Sequence, residues 1–523
     1  MVAHGRSIAE TRRILRVTTV DPHATLQLIS SLLRQHAEWL FVSSEGEAHS
    51  LRRSEIDLAL SHGRLVLSCW TEKGSRTWRV LDCHWNGQTL VLHASRKMGA
   101  EQPLIELVPR APASAIAATI RVARQVRCDR IAQLACDWQA KTTIERSALS
   151  PGTRPGQPGR YARILLRSRG ERIAVTGPVA PSHPSSVDAF LSAALLWFTR
   201  RRERTKAPFV EQLWLIVSAE LIKPLCYRVA LLRESLQEVI KLFVIDDDLC
   251  ALSPLACPER RELWTRKVTR FPSVPAATLS EQARGIVAEA PEAIDVVHSR
   301  HGQTLRYFGL PFARVRSLMG VERVWFGTDA AHRRLLDESS LSEWQNLLHD
   351  LREHRCASTL DRRHAFYRTA AEAWLESLLR RDITKLDPGL IIAPLHAQFR
   401  TAHSGKLGIR PIDLLALRQD GRLVVIELKA SEDREHVLQG ADYWRRVEAH
   451  RRRGHIAKAK LFGDKRIQDE PPLVYLVAPT LRVHPSFQTL AGCISTEIEI
   501  YRFDLNEDWR SGVRVMRRMR VNP

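Results

Sequence analysis

Hydrophobic positions along the chain follow two different periods. Between about Trp39 and Pro109 they come in short runs, LVLSCW, TWRVLDCHW, TLVLHAS and LIELVPR. Their β-branched and aromatic content predicts strands. Asn86-Gly87, between two of these runs, signals a tight hairpin. From Val296 to Ala313 the pattern predicts two strands joined at His301-Gly302. Over Glu338–Glu353 the period changes, and Leu341, Trp344, Leu347, Leu348 and Leu351 recur at helical spacing.

The C-terminal part alternates the two kinds of element. Ala370–Arg381 predicts a helix, stopped at Asp387-Pro388-Gly389, and Leu390–Arg400 predicts a strand. Two strands, IDLLALR and RLVVIELKA, flank Gln419-Asp420-Gly421, and Val437, Ala441 and Trp444 share one face of a following helix. Tyr161–Ala180 (YARILLRSRGERIAVTGPVA) has the same layout. A helix at Ser186–Arg201 and strands at Val210–Leu221 and Ile240–Asp248 follow it, and a helix near Ile120–Trp138 precedes it. The order of elements therefore predicts a second copy of one α/β unit. Pro- and Gly-rich stretches at Pro109–Ser114, Ser150–Gly159 and Pro254–Pro275 punctuate the chain. The expected organisation is a β-rich domain over 1–110, an α/β domain over 111–258, a mixed α+β segment over 259–360 and a second α/β domain over 361–523.

Composition narrows the function. Of 523 residues, 44% are hydrophobic and 26% charged, which excludes wholesale disorder. Lys and Arg outnumber Asp and Glu by 79 to 58, a net charge of +21 that points to a polyanionic partner, nucleic acid first. The longest apolar run, Phe190–Phe198, is too short to cross a bilayer, and no secretion signal opens the chain. No phosphate-cradling G-x-x-x-x-G-K-[ST] loop occurs. Nine scattered Cys without a C-x-x-C predict reduced thiols in a cytoplasm and argue against a Cys-rich zinc site. His364, His396, His403 and His436 show no metal spacing.

The charges around Gln419-Asp420-Gly421 are out of place for a plain core hairpin. Glu427 and Lys429 stand at i and i+2, on one face of a strand. A three-residue loop with Gly421 left-handed sets Arg418 opposite Arg422 and Asp413 opposite Glu427, whereas a two-residue Asp420-Gly421 turn sends Asp413 to the other face. Two adjacent carboxylates repel, and a hard cation such as Mg²⁺, content with one or two carboxylates plus water and phosphate, relieves them.

In sequence, Pro411-Ile412-Asp413, Glu427-Leu428-Lys429 and Gln439-Gly440-Ala441-Asp442-Tyr443 resemble the PD-(D/E)xK nuclease superfamily. They are closest in pattern to its Q-x3-Y branch, which includes RecB-type recombination nucleases and archaeal mismatch endonucleases. The resemblance spans about Ala365–Asp504. It implies a restriction-endonuclease-like mixed sheet flanked by helices. It also implies Mg²⁺ or Mn²⁺ held by Asp413 and Glu427 with the main-chain carbonyl of Leu428, and a further Glu from the preceding helix. Glu372 and Glu376, one turn apart, both fit that role, with Glu372 slightly favoured. Lys429 would position the attacking water, and Gln439 and Tyr443, on one helix face, would support the site or touch the strand. The implied activity is metal-dependent hydrolysis of DNA in repair, recombination or defence, with RNA a second-choice substrate. The alternative is a nucleic-acid-binding scaffold of nuclease-like fold without catalysis.

The upstream copy carries Thr176-Gly177-Pro178 where the C-terminal copy has Glu-Leu-Lys, and Ala162 or Arg163, depending on register, at the place of Asp413. It is expected to be degenerate, a DNA-binding or docking scaffold without a metal site. Basic runs at Arg445-Arg446, Arg451-Arg452-Arg453 with Lys458 and Lys460, and Arg200-Arg201-Arg202 are candidates for phosphate contact or for a solvated face.

Overall fold

The computed structural model describes residues 21–43, 48–71, 74–85, 89–96, 102–110, 113–152, 158–181, 183–203, 209–247, 250–257, 259–265, 278–299, 302–318, 321–329, 333–399 and 411–523. The chain is an α/β protein that divides into two compact units, Met1–Val122 and Ala123–Pro523. In the first, a helix at Pro22–Arg34, whose first turn is capped by the Asp21 carboxylate, is followed by a seven-stranded antiparallel sheet between Glu38 and Pro109. Trp39, Phe41, Leu67, Trp78, Leu92 and Ile105 fill its core. The predicted Asn86-Gly87 turn lies outside the described residues.

The second unit contains three sheets. The middle one has five antiparallel strands, and the stretch read as two strands contains three: Ile294–Ser299, Gly302–Tyr307 and Leu310–Leu318. Gly309, at φ +78°, makes the extra turn. A side chain there would collide with the Ala373 carbonyl, 2.0 Å from an added Cβ. The expected helix is present at Leu341–His354, and Trp344 stacks on Phe312 at 5.7 Å. Just beyond it, the fully buried Arg355 donates to the carbonyls of Tyr307, Phe308, Phe366 and Thr369. That guanidinium ties the middle sheet to the start of the next α/β unit.

The other two sheets have six strands each. The first runs in chain order: β1 (Thr142–Pro151), β2 (Pro158–Ser168), β3 (Glu171–Thr176), β4 (Val210–Val217), β5 (Ile240–Asp246) and β6 (Ala251–Leu255). Helix α1 (Ala113–Trp138) precedes it, α2 (Val187–Arg202) joins β3 to β4, and α3 (Ala219–Val229) follows β4. The second is β7 (His396–Phe399), β8 (Ile412–Leu417), β9 (Leu423–Leu428), β10 (Leu473–Pro479), β11 (Ile500–Leu505) and β12 (Val515–Arg520), again in chain order. Here α4 (Ala371–Arg381) precedes, α5 (His436–Arg452) joins β9 to β10, and α6 (Phe487–Cys493) follows β10. In both sheets the first three strands are antiparallel, the third, fourth and fifth are parallel, and the last is antiparallel. Both use a helix as the crossover between the parallel strands. The run from Leu390 is strand only from His396 onward.

The two sheets pack through their helices. Phe190, Leu195 and Leu225 from the first share one core with Val437, Ala441, Trp444 and Leu490 from the second. Matching positions meet at the join: Leu232, beyond α3, bridges antiparallel to Ile494, beyond α6. Arg233 N–H donates to Cys493 O at 2.9 Å, and Ser495 N–H donates to Leu231 O at 3.0 Å. A reciprocal pair of bonds between equivalent segments is the mark of a two-fold, isologous contact, made here within one chain.

Candidate active site

The hairpin between β8 and β9 sets the geometry. Gly421 is left-handed at φ +86°, its N–H donates to Arg418 O, and Arg418 N–H donates to Arg422 O at 2.9 Å. The three-residue loop is therefore the one formed. Leu414 pairs with Ile426, and the register carries Asp413 opposite Glu427. Alternation then divides the two faces. Leu414, Ala416, Val424 and Ile426 pack with Trp374, Leu375 and Leu379 of α4, whereas Leu415, Leu417, Leu423 and Val425 pack with Tyr443 and Val447 of α5. Asp413, Glu427 and Lys429 all take the α5 face.

The pocket is buried and charged. Glu427 is 2% exposed and Lys429 7%. Lys429 Nζ donates to Glu427 Oε1 at 2.7 Å and lies 3.4 Å from Asp433. The Leu428 N–H donates to Asp413 Oδ2 at 2.9 Å. Glu427 Oε2 is buried with no N–H or hydroxyl donor beside it, and the neighbour with which it can share a proton is the Asp413 carboxyl. Burial, and then the neighbouring Asp413, push the Glu427 carboxyl well above the usual range, with Lys429 opposing. Burial lifts Asp413 to about 6 against the pull of the Leu428 amide and Lys429. Burial alone would lower Lys429, but Glu427 and Glu372 outweigh it and hold the ammonium charged. Lys429 is thus a fixed cation rather than a base.

Helix α5 covers the pocket. Gln439 and Tyr443, one turn apart, are both buried. Gln439 Nε2 donates to Glu435 at 3.3 Å, and its Oε1 is buried without a partner. Burial, then the charge of Glu427, raises the Tyr443 phenol far above its ordinary value, so it stays neutral. Gly440 lets the helix approach the sheet, since an added Cβ would lie 2.6 Å from Leu476 Cδ2. His436, in the first turn, places Nε2 3.2 Å from the Glu427 carbonyl. Burial lowers its pKa to about 3, so it is a neutral donor that fixes the end of β9. Its place in the helix start is readable from the sequence, but its hold on Glu427 comes only from folding.

The two helix glutamates take different positions. Glu376 is 2% exposed and accepts from Arg306 Nη2 at 2.9 Å, while Arg306 also pairs with Asp295 at 2.7 Å. Glu372 is exposed in the first turn of α4, close enough for its charge to act on Lys429. Among the described residues, no group of three or more His, Cys, Asp or Glu is arranged to hold a metal ion.

The basic run on α5 is committed internally. Asp442, fully buried, pairs with Arg228 of α3 at 2.8 Å and with Arg445 at 2.6 Å, and also with Arg446. Burial would raise the Asp442 carboxyl, but these three arginines pull it far below the carboxylate range. Arg451 and Arg452 pair with the buried Glu448, and Arg453 donates to Trp264 O at 2.9 Å. Asp442 and Glu448 were not singled out in the sequence, where acid and arginine spacing alone does not reveal burial. Of the remaining histidines, His396 bonds to Leu461 O at 2.7 Å, and His403 lies outside the described residues.

No family model matches the chain, and no curated protein matches it. Among solved structures, that of an EndoMS-dsDNA2 complex matches with 11% identity and a TM-score of 0.15, over 40% of this chain and 90% of that one. No helix among the described residues is long and apolar enough to cross a membrane.

Proposed function

We propose that the chain is a metal-dependent DNA nuclease whose C-terminal sheet, of the restriction-endonuclease-like PD-(D/E)xK type, carries the active site. The observation that carries this reading is Asp413 set across the hairpin from Glu427, with Lys429 on the same face and no N–H or hydroxyl donor beside the buried Glu427 Oε2. A buried carboxylate oxygen without a donor is costly, and a cation beside it removes the cost. The donor set is all oxygen, as Mg²⁺ or Mn²⁺ prefers. Asp413 and Glu427 would hold the ion, with the Leu428 carbonyl beside them and Glu372 or Glu376 as the further acid. Bound there, the ion would lower the pKa of a water and stabilise charge on the attacked phosphodiester. Lys429, held protonated by its acidic neighbours, orients that water and steadies the phosphoryl oxygens. The neutral Tyr443 and Gln439 close the pocket against solvent, and the unpaired Gln439 Oε1 faces a donor supplied by the substrate.

The test is cleavage of duplex, branched, mismatched and single-stranded DNA with Mg²⁺ and Mn²⁺. Asp413→Ala should lower metal-dependent cleavage at least about a hundredfold while binding persists. Equal cutting by variant and parent would overturn the assignment. A second reading, a binding scaffold without catalysis, is favoured by the direct Lys429–Glu427 ion pair and by the lack of a three-acid cluster among the described residues. Failure of Mn²⁺ at millimolar concentration to bind at Asp413 and Glu427 would select it.

A further inference from the structure

The first six-stranded sheet has its own charged recess beside the place that corresponds to the Asp413–Glu427 pocket. Its hairpin turns on two residues, Arg169 and Gly170, at φ +49° and +90°. Ser168 pairs with Glu171 and Ile164 with Val175, so the register carries Arg163 opposite Thr176. Leu165 and Ala174, their neighbours on that face, pack with α2. Arg163 therefore occupies the position of Asp413, and Thr176 that of Glu427. The fourth and eighth residues of the covering helix, Gln439 and Tyr443 in α5, are Phe190 and Ala194 in α2.

Beside this position lies a cavity of about 290 Å³ between β1, β2 and α2. Arg146, Arg163, Arg200 and Arg201 surround it, and Leu149 and Trp197 form apolar wall. Arg163 is half-buried with its guanidinium 5.9 Å from the Trp197 ring centre. No carboxylate acts on it: after burial, the charges that bear on it are Arg200, Arg201 and Arg434. Arg434 belongs to the turn before α5, so a charge from the other copy also bears on this recess. Among the described residues no acid forms an ion pair with Arg146, Arg163 or Arg200. Elsewhere buried arginines find partners, Arg228 in Asp188 and Asp442, Arg306 in Asp295 and Glu376, and Arg355 in main-chain carbonyls. Arg146, Arg163 and Arg200 converge on this cavity with no acid paired to them among the described residues, and such a group is a receptor for an oxyanion that offers two oxygens.

We propose that the copy without carboxylates grips the phosphodiester backbone of a DNA strand in this recess, through Arg146, Arg163 and Arg200, while the other copy acts on the same DNA. This rests on nucleic acid being the partner, but not on cleavage. Binding of a fluorescein-labelled DNA duplex is measured in EDTA between about 50 and 200 mM salt. Arg163→Ala should weaken binding about tenfold, the range of one lost charge-assisted contact, and flatten the log K against log salt slope by about 0.9 per phosphate released. Arg163→Lys should retain most of the slope. The pair Arg146→Gln with Arg200→Gln, both at exposed positions, covers the case in which Arg163→Ala does not fold, and should act in the same direction. If the parent binds and these variants match its affinity and slope, the recess is not the grip, and the nuclease reading stands. If the parent binds no DNA, both readings fall. If it binds, loses slope in the variants and never cleaves, the grip stands without the nuclease.

Discussion

Two sheets of one strand order carry opposite charges at one register position. In the C-terminal sheet Asp413 faces Glu427, and in the upstream sheet Arg163 faces Thr176. The strand order, the crossover helix and the inner face are shared, so the scaffold does not decide the chemistry. Two side chains and the length of one turn do. A three-residue loop ending in left-handed Gly421 delivers an acid to the pocket, while a two-residue loop in the other copy delivers an arginine. The same place in the fold holds two facing carboxyls in one case and an arginine facing a threonine in the other.

The sharpest way to break this comparison is to exchange expectations between the copies. Asp413→Ala should cost at least about two orders of magnitude in cleavage, whereas Thr176→Val, at the matching place upstream, should change it less than about threefold. A large loss from Thr176→Val would mean that the upstream pocket also does chemistry. Next in size is the join. Arg228→Met strands Asp188 and takes one of three arginines from Asp442, and should cost about 3–5 kcal/mol in urea unfolding. Because the copies share one core, their melting should remain a single transition. Two separate transitions would show the copies to be independent. Gly440→Ala drives a methyl into Leu476 and should cost about 1–3 kcal/mol, with reduced cleavage as Gln439 and Tyr443 shift. Upstream, Ala at Gly170 meets nothing within 4 Å and bears only the strain of φ +90°, roughly 1 kcal/mol.

The smallest effect is one of pH. The folded pKa of Asp442 is depressed, so its stabilisation is complete above the unfolded value near 4 and is lost as pH falls below it. The stability gap between parent and Asp442→Asn should therefore narrow in acid. A gap constant from pH 7 to about pH 3 would mean that the interface charge does not contribute in this way.

Much of this was legible in the sequence because the hairpin is local. Loop length sets the parity of Asp413 against Glu427, which narrows the choice to two registers that the fold then decides, and element order along the chain anticipates two sheets of one strand order. What stayed hidden depends on distant contacts. Tyr307-Phe308-Gly309-Leu310 has no polar turn residue, so the third strand of the middle sheet merged with the second. The arginines after Tyr443 read as a free basic face because Arg228, which shares Asp442 with them, comes from a helix far upstream. Arg163 or Ala162 could not be chosen until the turn beside Gly170 was counted.

The reciprocal hydrogen bonds around Leu232 and Ile494 have a consequence of their own. Two halves that meet face to face about such an axis would, as separate subunits, have to carry every change twice, and their association would depend on concentration. Held on one polypeptide, they stay together at any dilution, and a substitution strikes only one of them. That asymmetry lets one half keep its facing acids while the other replaces them with an arginine and a threonine.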